Sequence, residues 1–109
     1  MDQTRLNQLL DYLKSDPEDS FLVFAVAKEY ENLNLLDNAL KYYLNLKKIN
    51  PDYIGLYYHL GKFYEKIEEK RLANTTYTEG IELAKKQGDF HALSELNNAR
   101  MNLEIELGN

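Results

Sequence analysis

The stretch that decides the fold reads FLVFAVAKEYENLNLLDNALKYYLNLKKINP from residue 21 to residue 51. Its pattern of residue types recurs 34 residues further along the chain, and at the same offset Pro17 corresponds to Pro51. A fixed period of this length, with apolar residues at helical spacing, is typical of proteins built from repeated helix pairs. The corresponding positions are Val23 and Tyr57, Val26 and Leu60, Ala27 and Gly61, Lys28 and Lys62, Tyr30 and Tyr64, Glu31 and Glu65, Ala39 and Ala73, and Tyr43 and Tyr77.

At these positions the chain resembles the tetratricopeptide repeat family. A repeat of that family has a large residue, a leucine, a glycine or alanine and a tyrosine, then an alanine, an aromatic residue and a terminal proline. The resemblance covers residues 20–86 directly, with Val23, Gly80 and Lys85 as departures from the pattern. It implies an all-α fold, a right-handed α-α superhelix (a solenoid) of about six helices. The length of the chain predicts a single domain of residues 1–109.

The segments that flank the two repeats are interpreted as capping helices. The ends of a solenoid need atypical helices, because an uncovered end would leave an apolar face in water. In the N-terminal segment Asp2 is a candidate N-cap, and four leucines share one helical face. These are Leu6, Leu9, Leu10 and Leu13. The predicted partition is a capping helix at 1–16, repeats at 20–52 and 53–87, and a second capping helix at 89–107.

Capping residues predict where several helices begin and end. Asp37 is expected to cap the second helix of the first repeat. Gly88 follows the cationic Lys85 and Lys86 and is expected to end the long helix, after which Asp89 caps the last one.

The last helix departs from the 34-residue register, which would place polar residues inward. An offset of 36 residues instead places Leu93 and Leu96 inward, with Leu103 and Leu107 continuing the stripe. Met101 and Ile105 lie off that stripe. They are either ordinary exposed apolar residues or half of a contact between two copies of the chain.

Two kinds of residue are expected in the helix packing. Gly61 should mark a close approach of two helices, because glycine inside a helix costs about 1 kcal/mol relative to alanine. Five of the nine tyrosines occupy packing positions of the repeat and are expected in the core. They are Tyr30, Tyr43, Tyr57, Tyr64 and Tyr77.

Composition argues against several classes of function. A net charge of -5 without a basic cluster argues against nucleic acid as a partner. The absence of cysteine removes disulfides, thiolate nucleophiles and cysteine-ligated zinc. His59 and His91 are the only histidines and form no metal-binding motif, so we expect no metal, no cofactor and no catalytic residues. Without a signal peptide or a membrane-spanning segment, the expected location is cytoplasmic.

The resemblance implies where a partner would bind. In that family the first helices of successive repeats line a concave groove that holds peptide segments of partner proteins. The corresponding positions predict a peptide-binding groove with an aromatic floor and a cationic centre, suited to a segment that bears a carboxylate. The candidate residues are Phe21, Phe24, Lys28, Tyr58, Lys62, His91 and Asn98.

Two further interpretations stay open at this stage. Lys28 and Lys62 can instead be solvated charges that pair locally with Glu31 and Glu65, with Phe24 in the core. The chain can also act as a structural homo-oligomer, or a weak homodimer, that assembles through its end caps or through the Met101 and Ile105 side. The sequence therefore predicts a protein–protein interaction module and not an enzyme, with the oligomer as the alternative.

Overall fold

The computed structural model describes residues 3–108, and within that range the chain forms six α-helices. They are α1 (Thr4–Ser15), α2 (Ser20–Asn32), α3 (Leu36–Ile49), α4 (Gly55–Lys66), α5 (Lys70–Gln87) and α6 (Phe90–Glu106). The all-α prediction is confirmed. The helices divide into two compact units, Met1–Tyr53 and Ile54–Asn109.

The first unit contains α1, α2 and α3. Helix α2 packs against both of the others, and Arg5 of α1 forms an ion pair with Glu29 of α2 at 3.4 Å. The Asp19 carboxylate accepts a hydrogen bond from the Leu22 amide at 3.0 Å and so caps the start of α2. The buried core of this unit comprises Leu6, Val23, Val26, Ala27, Ala39, Tyr43 and Leu46.

The second unit contains α4, α5 and α6, and each of these helices packs against the other two. Two glycines allow the close packing. A Cβ atom on Gly61 would clash with the ring of Tyr77, and one on Gly80 would lie 2.6 Å from the Tyr57 Cβ. The packing role predicted for Gly61 is thus confirmed. The apolar core comprises Leu56, Tyr57, Leu60, Phe63, Tyr64, Ala73, Tyr77, Ile81, Ala84, Leu96, Ala99 and Leu103.

The turns inside the two helix pairs are copies of each other. Asn34 and Glu68, which are 34 residues apart, both adopt the left-handed backbone conformation, with φ of 61° and 64°. In each turn the residue that follows donates its amide hydrogen to a tyrosine carbonyl oxygen, that of Tyr30 or of Tyr64. The sequence period therefore extends to the backbone hydrogen bonds of the turn.

The helix ends agree with some capping predictions and correct another. Gly88 ends α5 in the left-handed conformation, and the Asp89 carboxylate caps α6 through the Ala92 amide at 3.0 Å. The prediction that Asp37 caps α3 is wrong. Leu35 occupies the N-cap position, and Asp37 lies in the first turn, where its charge still favours the helix dipole. Asp2 lies outside the described residues, and Gln3 is the N-cap of α1.

The inward-facing residues of α6 were predicted in the correct register, but the prediction is wrong for the last of them. Leu96 and Leu103 are buried, and Leu93 is half-buried. Ala99, which lies between Leu96 and Leu103 along the helix, is also buried. Leu107 is exposed, because α6 ends at Glu106 before the stripe completes another turn. Among the tyrosines expected in the core, Tyr30 is only half-buried and the other four are buried.

No helix within residues 3–108 has the length and continuous apolar character needed to cross a lipid bilayer.

Candidate functional site

A lysine, a glutamate and a tyrosine form the same arrangement in both units. In the first unit the Tyr43 hydroxyl of α3 donates a hydrogen bond to Glu31 of α2 at 2.6 Å, and Lys28 Nζ lies 3.9 Å from the same carboxylate oxygen. In the second unit the Tyr77 hydroxyl donates to Glu65, and Lys62 Nζ lies 4.0 Å from the same oxygen. The local lysine–glutamate pairing foreseen as one interpretation of the sequence is therefore present.

The tyrosine hydroxyl in each arrangement is held in its neutral form. Burial raises the pKa of Tyr43 well above its usual value, and the hydrogen bond to the Glu31 carboxylate raises it further. Burial and the hydrogen bond to Glu65 act on the pKa of Tyr77 in the same direction. Each hydroxyl thus stays a donor to its glutamate, and this bond links the two helices of the pair.

The lysines keep capacity for a further partner. A charge-assisted hydrogen bond from an ammonium group to a carboxylate is usually about 2.7–2.9 Å long, and both lysine–glutamate contacts are about 1 Å longer than that. The lysine side chains are 34% and 47% exposed, in the order Lys28 and Lys62. Each ammonium group has three donors, so one long contact to glutamate leaves donors that point to solvent.

The face of α2 that carries Lys28 also carries two phenylalanines, and we call Phe21, Phe24 and Lys28 the first patch. Phe21 is 66% exposed. Phe24 is half-buried, because its ring packs against Tyr53 at 5.7 Å and against Tyr43 at 6.5 Å between centroids. Phe24 thus partly belongs to the packing of the first unit, whereas Phe21 presents its ring to solvent.

The corresponding face of α4 carries Tyr58 and Lys62, which we call the second patch. Lys62 Nζ lies 5.8 Å from the centroid of the Tyr58 ring, within the range of a cation–π interaction. Tyr58 is half-buried and its ring contacts His59 edge-on at 5.5 Å. In both patches a lysine follows an aromatic residue by one helical turn.

An open cleft of about 200 Å³ lies between α4 and α6 in the second unit. Tyr58 and His91, two of the predicted site residues, both line it. Lys62 contacts the Tyr58 ring but is not part of the lining, and Asn98, exposed further along α6, is not part of it either. The remaining lining residues are Ile54, Gly55, His59, Asp89, Ala92, Glu95 and Leu96.

Sequence reasoning did not assign the two carboxylates of this cleft to a site. The sequence predicts Asp89 only as a helix cap and assigns no site role to Glu95. The available signal is the 36-residue register of α6, because at that offset His91 corresponds to Gly55 of α4, and both line the cleft. Glu95 comes one helical turn after His91 and therefore lies on the same side of α6.

The described part of the chain shows no group of three or more histidine, cysteine, aspartate or glutamate side chains placed to hold a metal ion.

Comparison with known proteins identifies the repeat. The pattern that defines the tetratricopeptide repeat matches residues 23–53 and 54–87, which together make up more than half of the chain. The solution structure of a tetratricopeptide repeat domain protein from Salinibacter ruber is 42% identical, with a TM-score of 0.78, over 82% of this chain and 90% of that one. A crystal structure of a tetratricopeptide repeat domain protein from the same organism is 40% identical, with a TM-score of 0.74, over 79% and 97%.

A more distant structure extends the likeness in fold. The solution structure of a protein from Bordetella parapertussis has a TM-score of 0.82 over 97% of this chain and 91% of that one, at 23% identity. This likeness concerns the fold alone. No curated protein is significantly similar in sequence to the chain.

Proposed function

We propose that this chain, which belongs to the tetratricopeptide repeat family, binds a peptide or protein segment of another protein through the first and second patches. The family consists in general of non-enzymatic scaffolds for protein–protein interaction. In this proposal the patches form part of the groove that the first helices of the family's repeats line. The cytoplasmic location expected from the sequence stays a prediction.

The observation that supports this proposal most is the repeated arrangement of lysine, glutamate and tyrosine. Each tyrosine hydroxyl satisfies one lone pair of its glutamate, and each lysine remains partly exposed beside an aromatic ring. A carboxylate on the partner can therefore approach the ammonium group while the adjoining ring contacts an apolar side chain. The preferred partner is an extended segment that carries an acidic side chain or a free C-terminus.

The test is a selection from a library of displayed peptides, followed by affinity measurement with the enriched peptides. The double variant Lys28→Ala/Lys62→Ala should weaken binding roughly tenfold, because two partly exposed charge contacts contribute about 1 kcal/mol or less each. It should also reduce the dependence of the affinity on salt.

The matched control is Lys48→Ala/Lys86→Ala, which removes the same charge from exposed positions on α3 and α5. This control should bind the enriched peptides like the unaltered chain. Equal affinity and equal salt dependence of the Lys28→Ala/Lys62→Ala variant would contradict the proposal, as would a library that yields no enriched peptide.

A second candidate function, a structural homo-oligomer, rests on the exposed apolar side chains of α6. Met101 is 57% exposed and Ile105, one helical turn later, is 67% exposed. Light scattering at several concentrations tests this candidate, with Met101→Glu as the variant that should dissociate the assembly. A constant mass near 12.8 kDa, that of one chain, would contradict the oligomer.

A further inference from the structure

The cleft between α4 and α6 has the size of a subsite for one side chain. Its volume of about 200 Å³ is below the roughly 300–1,000 Å³ of sites that enclose a small-molecule ligand. Ile54 and Ala92, both half-buried, supply aliphatic surface, and Tyr58 supplies an aromatic ring. The cleft is therefore suited to a long side chain with an apolar stem.

Two carboxylates, those of Asp89 and Glu95, line the cleft. The lining also includes His59 and His91 but no lysine or arginine. One oxygen of Asp89 accepts the capping hydrogen bond from the Ala92 amide. Neither the second oxygen of Asp89 nor the Glu95 carboxylate has a hydrogen bond or ion pair with any residue in the described range 3–108. Two carboxylates beside apolar surface favour a cation whose stem is hydrocarbon.

The aromatic ring of the cleft already contacts one cation, which lies outside the lining. Lys62 Nζ lies 5.8 Å from the Tyr58 ring centroid, and a tyrosine ring attracts a lysine or arginine head group in the same way. The second patch and the cleft share Tyr58. A segment with an acidic group near Lys62 would thus place a nearby residue at the cleft.

We propose that this cleft binds a lysine or arginine side chain of the partner segment, with the stem along Ile54 and Ala92 and the cationic head at Asp89 and Glu95. This inference rests on the proposed function, since it describes one side chain of the segment that the patches bind. It adds a basic residue to the acidic group expected near the lysines. The partner segment then carries both signs of charge, a few residues apart.

The experiment titrates the isotopically labelled full-length chain with N-acetyl-arginine methylamide and follows the backbone amide signals by NMR. The expected result is a saturable shift centred on Ile54, Tyr58, Ala92 and Glu95. Under the same conditions N-acetyl-norleucine methylamide and N-acetyl-glutamate methylamide should bind at least roughly fivefold more weakly, since each lacks the positive charge.

Two variants with the same change of charge separate the cleft from the acidic surface. Asp89→Asn/Glu95→Gln should weaken binding of the arginine probe roughly fivefold or more, and asparagine still caps α6. Asp37→Asn/Glu104→Gln changes exposed positions on α3 and α6 outside the cleft and should leave the affinity unchanged.

Four results of this titration would overturn the inference. They are no saturable shift at the cleft, equal binding of the norleucine probe, preferred binding of the glutamate probe, and equal loss in both variants. These probes contain no partner sequence and act away from Lys28, so a failure here leaves the outcome of the peptide selection unaffected. Enriched peptides that depend on the lysines but contain no basic residue would also overturn this inference while supporting the proposed function.

Discussion

The first unit begins α2 with a side-chain cap, whereas the second unit begins α4 without one. Asp19 caps α2 through the Leu22 amide. The residue 34 positions later is Tyr53, whose ring packs against Phe24 of the first unit, and Ile54 occupies the N-cap position of α4 with no side-chain hydrogen bond. The same repeat position thus caps a helix at Asp19 and packs against Phe24 at Tyr53, the last residue of the first unit.

This difference lies next to the candidate subsite. The uncapped start of α4 contributes Ile54 and Gly55 to the cleft, and the opposite wall begins at Asp89, the cap of α6. By contrast, the lysine–glutamate–tyrosine arrangement and the turn geometry are the same in both units. The features that both units share stabilise the helix pairs. The features that differ contribute to the cleft of the second unit.

The largest effect is expected at the small residue that distinguishes the units, Ala27 in the first and Gly61 in the second. Gly61→Leu should destabilise the chain by roughly 1–3 kcal/mol, because any Cβ at this position meets the Tyr77 ring. Ala27→Gly should cost only about 1 kcal/mol through backbone entropy. Urea unfolding followed by circular dichroism measures both, and an unchanged free energy of unfolding in Gly61→Leu would contradict the packing described.

The next effect tests whether Tyr43 and Tyr77, the two tyrosines that donate to a glutamate, act alike. Their raised pKa means that above pH about 10 the unfolded chain loses tyrosine protons that the folded chain retains. The stability that these two hydroxyls contribute is therefore fully present below pH 10 and is lost as the pH rises above it, by at most about 1.4 kcal/mol per pH unit for each tyrosine.

Urea unfolding at pH 8 to 11 measures this loss. Tyr43→Phe and Tyr77→Phe should each reduce the slope by a similar amount, with exposed Tyr12→Phe as the control. Slopes that do not differ among the three variants would show that neither hydroxyl is protected by its glutamate.

The smallest effect concerns the turn, where the units have different residues in one conformation. Glu68→Asn should stabilise the chain by about 0.5–1 kcal/mol, because asparagine tolerates the left-handed region better than glutamate. The reverse exchange in the first unit, Asn34→Glu, should destabilise by a similar amount. Melting temperatures that move in the same direction in both variants would contradict this reading of the turns.

Much of the fold follows from the sequence because its signals are local. The spacing of apolar residues and the glycine at position 88 predict helices and an end that the structure contains. The start of α3 does not follow in this way. The left-handed Asn34 and its neighbouring backbone bonds begin that helix before Asp37 can cap it.

The candidate site is less predictable, because it depends on how helices from distant parts of the sequence pack. The resemblance placed Tyr58 and His91 on one side of their helices, and both line the cleft. The cleft itself requires α6 to pack against α4 in the 36-residue register. Asp89 and Glu95 line one cleft only because α6 packs against α4. No local sequence pattern predicts that packing.

The most direct test of the central claim is to map where an enriched peptide binds. The isotopically labelled chain is titrated with that peptide, and the shifts of all backbone amide signals are recorded. The account predicts that the largest shifts surround Lys28 on α2 and Lys62 on α4. The largest shifts around Lys41 and Lys48 on α3, or around Met101 and Ile105 on α6, would contradict it.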